Sequence, residues 1–296
     1  MEKEPQKEIL EQSSLEYCYE SETEIDLFYR FLFQSNQKFH WDLIYKYFPE
    51  LNDIHTNPEN LSKEELYLKI KDVISKFREK YFNNIRLAED NIKAELSNIV
   101  DGINSLENLM GENEHFKYLV MPSVYPVCPF NAKRNLFYFS ITGVQNDKIK
   151  DERFSGVVLH EISHFIFFRQ IASIPNKLSD RGIHHLKEVL TPVLLEHPDI
   201  VKHRQDNHIC GNKESVEYQV ENNKGEVLSI FNYVNNEFLK NPTPEGYIPF
   251  LHWLIALFEK IEPEVIERDN LFAKNGREIF SNPELKEKFM KPIKLM

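Results

Sequence analysis

The sequence predicts a predominantly helical α+β protein. Helical periodicity dominates the first third, two short β-branched and aromatic runs follow it, and helical texture returns from Asp151. With only 9 Gly against 15 Pro, tight hairpins should be few. Hydrophobic residues make up 41% of the 296, with 22 Phe and 13 Tyr among them, so the chain can fill a core and global disorder is excluded. The length suits one large unit or two closely packed ones, and the texture divides them into a mainly helical region over 1–115 and a second unit over 116–296.

Taken in order, the chain opens with an acidic arm, Met1 to Asp26, expected to be partly ordered. Aromatic residues at irregular helical spacing from Ile25 to Phe48 suggest short packed helices. Asn57-Pro58 and the capping box Ser62-Lys-Glu-Glu65 open a long helix with Leu66, Ile70, Val73, Ile74, Phe77 and Tyr81 on one face. Ile92, Leu96, Ile99, Val100 and Ile103 mark another, ending before Gly111. Tyr118 to Met121 and Asn135 to Ile141 read as strands joined by a Pro-containing loop. Helices are then expected from Asp151 to Ile174, where Pro175 stops the run, from Ile183 to Glu196, from Lys213 to Leu239 with a break near Asn222 to Gly225, and from Pro244 to Glu262.

Composition removes several classes of function. A net charge of −11 without a basic block is a poor footprint for nucleic acid or an anionic membrane, both of which call for clustered Lys and Arg. Cys18, Cys128 and Cys210 are odd in number and far apart, which fits neither a disulfide framework nor a CxxC zinc site. The most apolar run, Tyr247 to Phe258, is short of the roughly 20 residues needed to span a bilayer and reads as core. The N-terminus carries acids where a signal peptide would carry bases. The expected setting is therefore a soluble, cytoplasmic protein.

The chemistry concentrates at His160-Glu161-Ile162-Ser163-His164, an HExxH match inside the helix expected from Asp151 to Ile174. Residues four apart share a helical face with Cβ atoms roughly 5 to 6 Å apart, so both imidazoles can converge on one cation. Glu161 lies about 100° round the helix, where its carboxylate can reach a water on that cation. The flanks, Val157-Val-Leu159, Ile162 and Phe165-Ile-Phe-Phe168, are apolar on almost every side, so the helix must be buried. Buried and unpartnered, its polar centre would cost on the order of 1 to 3 kcal/mol per group, and a divalent cation answers all three groups together.

A catalytic zinc takes a third protein ligand. The metzincin extension would need Gly at 167 and His at 170, where this chain has Phe167 and Gln170. Glu188, lying 24 residues beyond His164 among Leu, Val, Thr and Pro, is the preferred third ligand, because a carboxylate there is expensive unless something positive meets it. His184, His185 and Asp180 stand as alternatives, while Glu196 looks like an exposed helix end. Ser163 reads as a small helix residue rather than a nucleophile.

With those residues in place the sequence resembles the zincin metallopeptidases, in the gluzincin arrangement of HExxH followed by a Glu on a later helix. Its acidic N-terminal third and HExxH block are also similar to bacterial zincin-like proteins. The resemblance implies a small sheet packed on the HExxH helix, one Zn2+ held by His160, His164 and Glu188, and hydrolysis of peptide or protein substrates with Glu161 as general base. It further implies a substrate edge strand, for which Asn131-Ala132 resembles the Asn-Ala of thermolysin-type enzymes. An oxyanion donor, usually His or Tyr, is expected downstream among His208, Tyr218, Tyr233, Tyr247 and His252. The Asn-Glu-x-x-Ser-Asp and Gly-x-Met-Glu-Asn patterns of two better-known branches are missing. A zinc-binding protein without activity and a zinc amidase acting on a non-peptide bond are the alternative readings.

Overall fold

The computed structural model describes residues 12–35, 38–57, 61–146, 153–205 and 213–295. Among them the fold is α+β and mainly helical. Helices α1 (Ser21–Phe33), α2 (Lys38–Tyr47), α3 (Glu50–Thr56), α4 (Lys63–Lys80), α5 (Phe82–Glu95) and α6 (Val100–Leu109) fill the first third. The capping box forms as the sequence predicts, with Ser62 accepting from the Glu65 amide and Glu65 from the Ser62 amide.

The principal sheet has the order β1-β2-β4-β3, built from β1 (Ser14–Tyr17), β2 (Lys117–Ser123), β3 (Phe130–Asn131) and β4 (Leu136–Ser140). The two expected strands, β2 and β4, are parallel neighbours, and β3 closes one edge as a short antiparallel partner of β4. The other edge is β1, from within the acidic arm, pairing parallel with β2. Its entry is pinned by Ser13, whose hydroxyl donates to Glu107 at 2.8 Å and accepts the Phe116 amide at 2.7 Å. One hydrophobic cluster runs from Leu15 to Ile293, so the regions over 1–115 and 116–296 share a core.

Next come α7 (Phe154–Ile171), α8 (Asp180–Leu195), α9 (Pro198–Val201) and α10 (Lys213–Val216). Rings of the sheet pack on α7: Tyr118 stacks on Phe165, Phe130 meets Phe165 edge-on, and Phe139 meets Phe154. The lower end of α7 is tied down by Arg169, which donates to Glu112 and to the Tyr118 hydroxyl, and by Gln170, which donates to the Met110 carbonyl and accepts from Tyr247. Gln170, standing where a metzincin would carry its third histidine, is thus a structural bridge.

The segment over 213–239 departs from expectation. In place of a helix with a break, α10 leads into a hairpin of β5 (Gln219–Glu221) and β6 (Val227–Ser229), followed by α11 (Ile230–Phe238). The turn uses Gly225 at φ +77°, a left-handed conformation that favours glycine. β5 gains a second, parallel partner in β7 (Ile293–Lys294), which follows α12 (Pro244–Asn275) and α13 (Pro283–Met290). The apolar run Tyr247 to Phe258 lies in α12 with Leu251, Leu254 and Phe258 fully buried, and no helix among the described residues is long and apolar enough to cross a membrane. Cys18 is a free thiol and Cys128 is part-buried; Cys210 lies outside the described residues.

Candidate metal centre

α7 carries the HExxH residues at its middle, and 13 of its residues are buried, His164 and Glu161 among them. The His160 and His164 rings meet edge to face at 4.4 Å, and ligand atoms of His160, Glu161 and His164 all lie within 4.8 Å of one another. From α8, Glu188 reaches both histidines: its Oε2 is 3.7 Å from His160 Nε2 and its Oε1 is 3.5 Å from His164 Nε2. The structure therefore brings together the four residues that the sequence singles out.

His184, Glu188 and Thr191 occupy positions i, i+4 and i+7 of α8, one face of a helix. Thr191 is buried and completes a chain of hydroxyls to α7. Ser163 Oγ donates to the His160 carbonyl at 2.7 Å, so its one proton is used. Thr191 Oγ1, 2.7 Å away, must then donate to Ser163, and the 3.2 Å contact from His164 Nδ1 to Thr191 must carry the imidazole proton. That accounting leaves His164 Nε2 with a lone pair turned towards Glu188. A defined tautomer held from behind is what a metal-ligating histidine requires. Burial, followed by the Lys187 and His160 charges, holds His164 well below the usual imidazole range, so it stays neutral.

Lys187 was not anticipated. It is only 2% exposed, its ammonium contacts Glu188 Oε1, and it lies over the Phe130 ring at 5.1 Å. Burial alone would raise the Glu188 carboxyl, but the adjacent Lys187 charge brings it well below the usual range. Glu161 behaves oppositely. Burial pushes it up to about 8, with Lys187 pulling it down less strongly and Glu188 adding to the rise.

Lys187 satisfies one oxygen, and the remaining polar atoms decide whether a metal fits. Glu188 Oε2 and Glu161 Oε2 are buried without any hydrogen-bond partner. Each such orphan costs roughly 1 to 3 kcal/mol, more than one ammonium on the other oxygen recovers for them. Two imidazole nitrogens and two carboxylates form a donor set suited to a divalent ion such as zinc. The residues present fit the metal.

The centre opens into a cleft of about 480 Å³. One wall is the α7 and α8 face just described. The strand-side wall is Val127 to Phe130, so β3 flanks the centre, but Asn131 and Ala132 do not line the cleft: Asn131 pairs with Leu136 of β4 and Ala132 is exposed. The far wall comes from α1, α2 and α12, with Phe31, His40 and Asp269 among its residues. Burial pulls His40 down to about 4, and its Nδ1 lies 3.0 Å from the Tyr125 hydroxyl.

The alternative ligands separate cleanly. Asp180 is exposed at the start of α8, and Glu196 is exposed and meets Arg204. His185 is buried and turned away to Asp269 at 3.5 Å, while His184 lies at the exposed rim of the cleft. Among the described residues, none of the expected oxyanion donors lines the cleft. Tyr218 and Tyr247 are core residues, Tyr233 packs on Trp253, His252 is exposed, and His208 lies outside the described residues. His184, His40, Lys187 and Arg30 are among the donors that do line it. No protein family, curated protein or solved structure matches the chain.

Proposed function

We propose that the protein is a zinc-dependent hydrolase of the zincin type acting on peptide bonds. One observation carries the reading: a carboxylate from a separate helix meets both HExxH histidines in a buried cleft, while oxygens of Glu161 and Glu188 lack any other partner. His160, His164 and Glu188 would hold the ion and Glu161 would stand free of it. Zinc, when bound there, supplies a Lewis acid for the scissile carbonyl. Glu161 takes a proton from the attacking water and passes it to the leaving amine, a short transfer because it is fixed on the same helix. Thr191 and Ser163 hold the His164 ring in place, and the surrounding apolar side chains exclude bulk water.

A second reading draws on Lys187. Because a buried lysine already answers Glu188, the centre also suits a protein that holds its fold, or an ion, without turnover. A zinc amidase on a non-peptide bond would use the same residues. Metal titration with a peptide-library assay separates these. Wild type should bind one zinc per chain and cleave; His160→Ala and Glu188→Ala should lose stoichiometric zinc. Glu161→Gln should keep the ion and lose at least about 100-fold in rate. Zinc bound without cleavage of any peptide would sink the peptidase reading, and zinc bound equally well by Glu188→Ala would remove Glu188 from the ligand set.

A further inference from the structure

Resting on the hydrolase reading, we propose that the cleft accepts a carboxylate carried next to an aromatic or large apolar side chain, with Arg30 receiving the carboxylate and Phe31, Phe39 and Phe272 receiving the side chain. The far wall of the cleft holds these residues, contributed by α1, α2 and α12. Their positions are fixed. Phe31 stacks on Tyr125 at 5.0 Å and meets His40 at 4.4 Å, while Phe39 lies 6.2 Å from Phe272. Phe31 is only half-buried, so part of its ring remains for a ligand. A rigid aromatic surface of this kind binds flat or bulky apolar groups with little loss of side-chain freedom.

Charge accounting supplies the second half. Among the lining side chains Glu188 is answered by Lys187 and Asp269 by Arg181 and His185. Among the described residues, Arg30 is the lining cation with no carboxylate partner; its guanidinium rests over the Phe31 ring at 5.1 Å. Stacking leaves the in-plane N–H donors of a guanidinium free for a planar anion, and carboxylates fit that fork. The same residue thus joins the anion site to the aromatic surface. A space of about 480 Å³ is that of a small-molecule pocket, enough for a few residues rather than a long chain. The carboxylate must therefore lie close to the bond being cut, as it does at a peptide's C-terminus or in an acidic side chain beside it. Hydrolysis there adds one water across the C–N bond, leaving a new carboxylate on the acyl part and a free amine on the released part.

Binding can be measured without turnover. In the Glu161→Gln protein, with and without added zinc, calorimetry would compare N-acetylphenylalanine with its amide, and with N-acetylaspartylphenylalanine amide as the side-chain source of the carboxylate. The free acid should bind about tenfold tighter than the amide, a difference of about 1.4 kcal/mol. Arg30→Gln should abolish that preference, Arg30→Lys should keep part of it, and Phe39→Ala should weaken acid and amide alike. If the aspartyl amide shows the Arg30-dependent gain and the free acid does not, the carboxylate comes from a side chain. Equal binding of all three ligands, no binding at millimolar concentration, or an acid preference that survives Arg30→Gln each overturns the proposal. Arg30-dependent acid binding in a protein that neither holds zinc nor cleaves would keep this inference and remove the hydrolase reading. Cleavage confined to internal bonds of uncharged peptides would do the reverse.

Discussion

A lysine ammonium already holds one oxygen of the carboxylate that a divalent cation in this centre would use. Lys187 contacts Oε1, the oxygen that also faces His164, so an incoming ion must displace the ammonium or share the carboxylate with it. Lys187→Met, which keeps the stem and removes the charge, is accordingly expected to raise zinc affinity by about tenfold or more in a chelator competition. It should also lower the stability of the metal-free protein, because the buried Glu188 loses its counter-charge. Unchanged or weaker zinc binding by Lys187→Met would mean that the ammonium is no competitor. His160, Glu161 and His164 were legible because the spacing of helical neighbours is fixed by covalent geometry, and Glu188 because its sequence neighbours are apolar. Lys187 was not. Adjacent helical residues diverge by about 100°, which argues for a solvent-facing side chain, yet its flexible stem turns back across Phe130 to the carboxylate.

At the level of elements, α8 is the one that assembles the centre, and it is held from two sides. Towards α7 the hold is Thr191 with Ser163 and His164. Thr191→Val keeps the shape and removes the hydroxyl, so it should cost about 1 kcal/mol in stability and about 10-fold in zinc affinity as His164 loses its fixed tautomer. Thr191→Ser should restore the affinity; if Thr191→Val binds zinc like wild type, the hydroxyl chain has no positioning role. Towards α12 the hold is Asp269, which meets Arg181 and His185. Burial would raise its carboxyl, but hydrogen bonds from His185 and Arg181 outweigh that and bring it down to about 2. A depressed folded pKa stabilises above the unfolded value near 3.9, and the contribution is lost as pH falls through about 2. Asp269→Asn should therefore lower the urea midpoint by an amount equivalent to about 1 kcal/mol at pH 6, after allowance for solvent, and by progressively less below pH 4. A penalty that stays constant down to pH 3 would mean the carboxylate charge is not what joins these helices. The hairpin of β5 and β6 escaped the sequence because its pairing partner, β7, lies at the far end of the chain. Gly225 was the local sign of it.

Across the whole molecule, the helical first third is not a separate appendage: β1 extends the sheet, and α1 and α2 build the wall opposite the metal centre. A ligand bound only by the folded state stabilises all of that at once. Zinc at about 100 times its dissociation constant should add about 2.7 kcal/mol and raise the unfolding midpoint by about 5 °C or more, in a single transition. Glu188→Ala should show no such rise, and a rise of the same size in that variant would place the ion elsewhere. Local spacing and the cost of burying charge were enough to read the helical α+β class, the buried HExxH helix and the capping box of α4 from the sequence, and to mark Glu188 as a carboxylate that needs a positive partner. Tertiary packing alone sets that Lys187 shares the carboxylate, that Val127 to Phe130 rather than Asn131 and Ala132 border the cleft, and that Arg30 and Phe31 line it. Those pairings join residues distant in the chain or turn a side chain against its expected direction, and they are set by the packing of whole elements, which no local periodicity encodes.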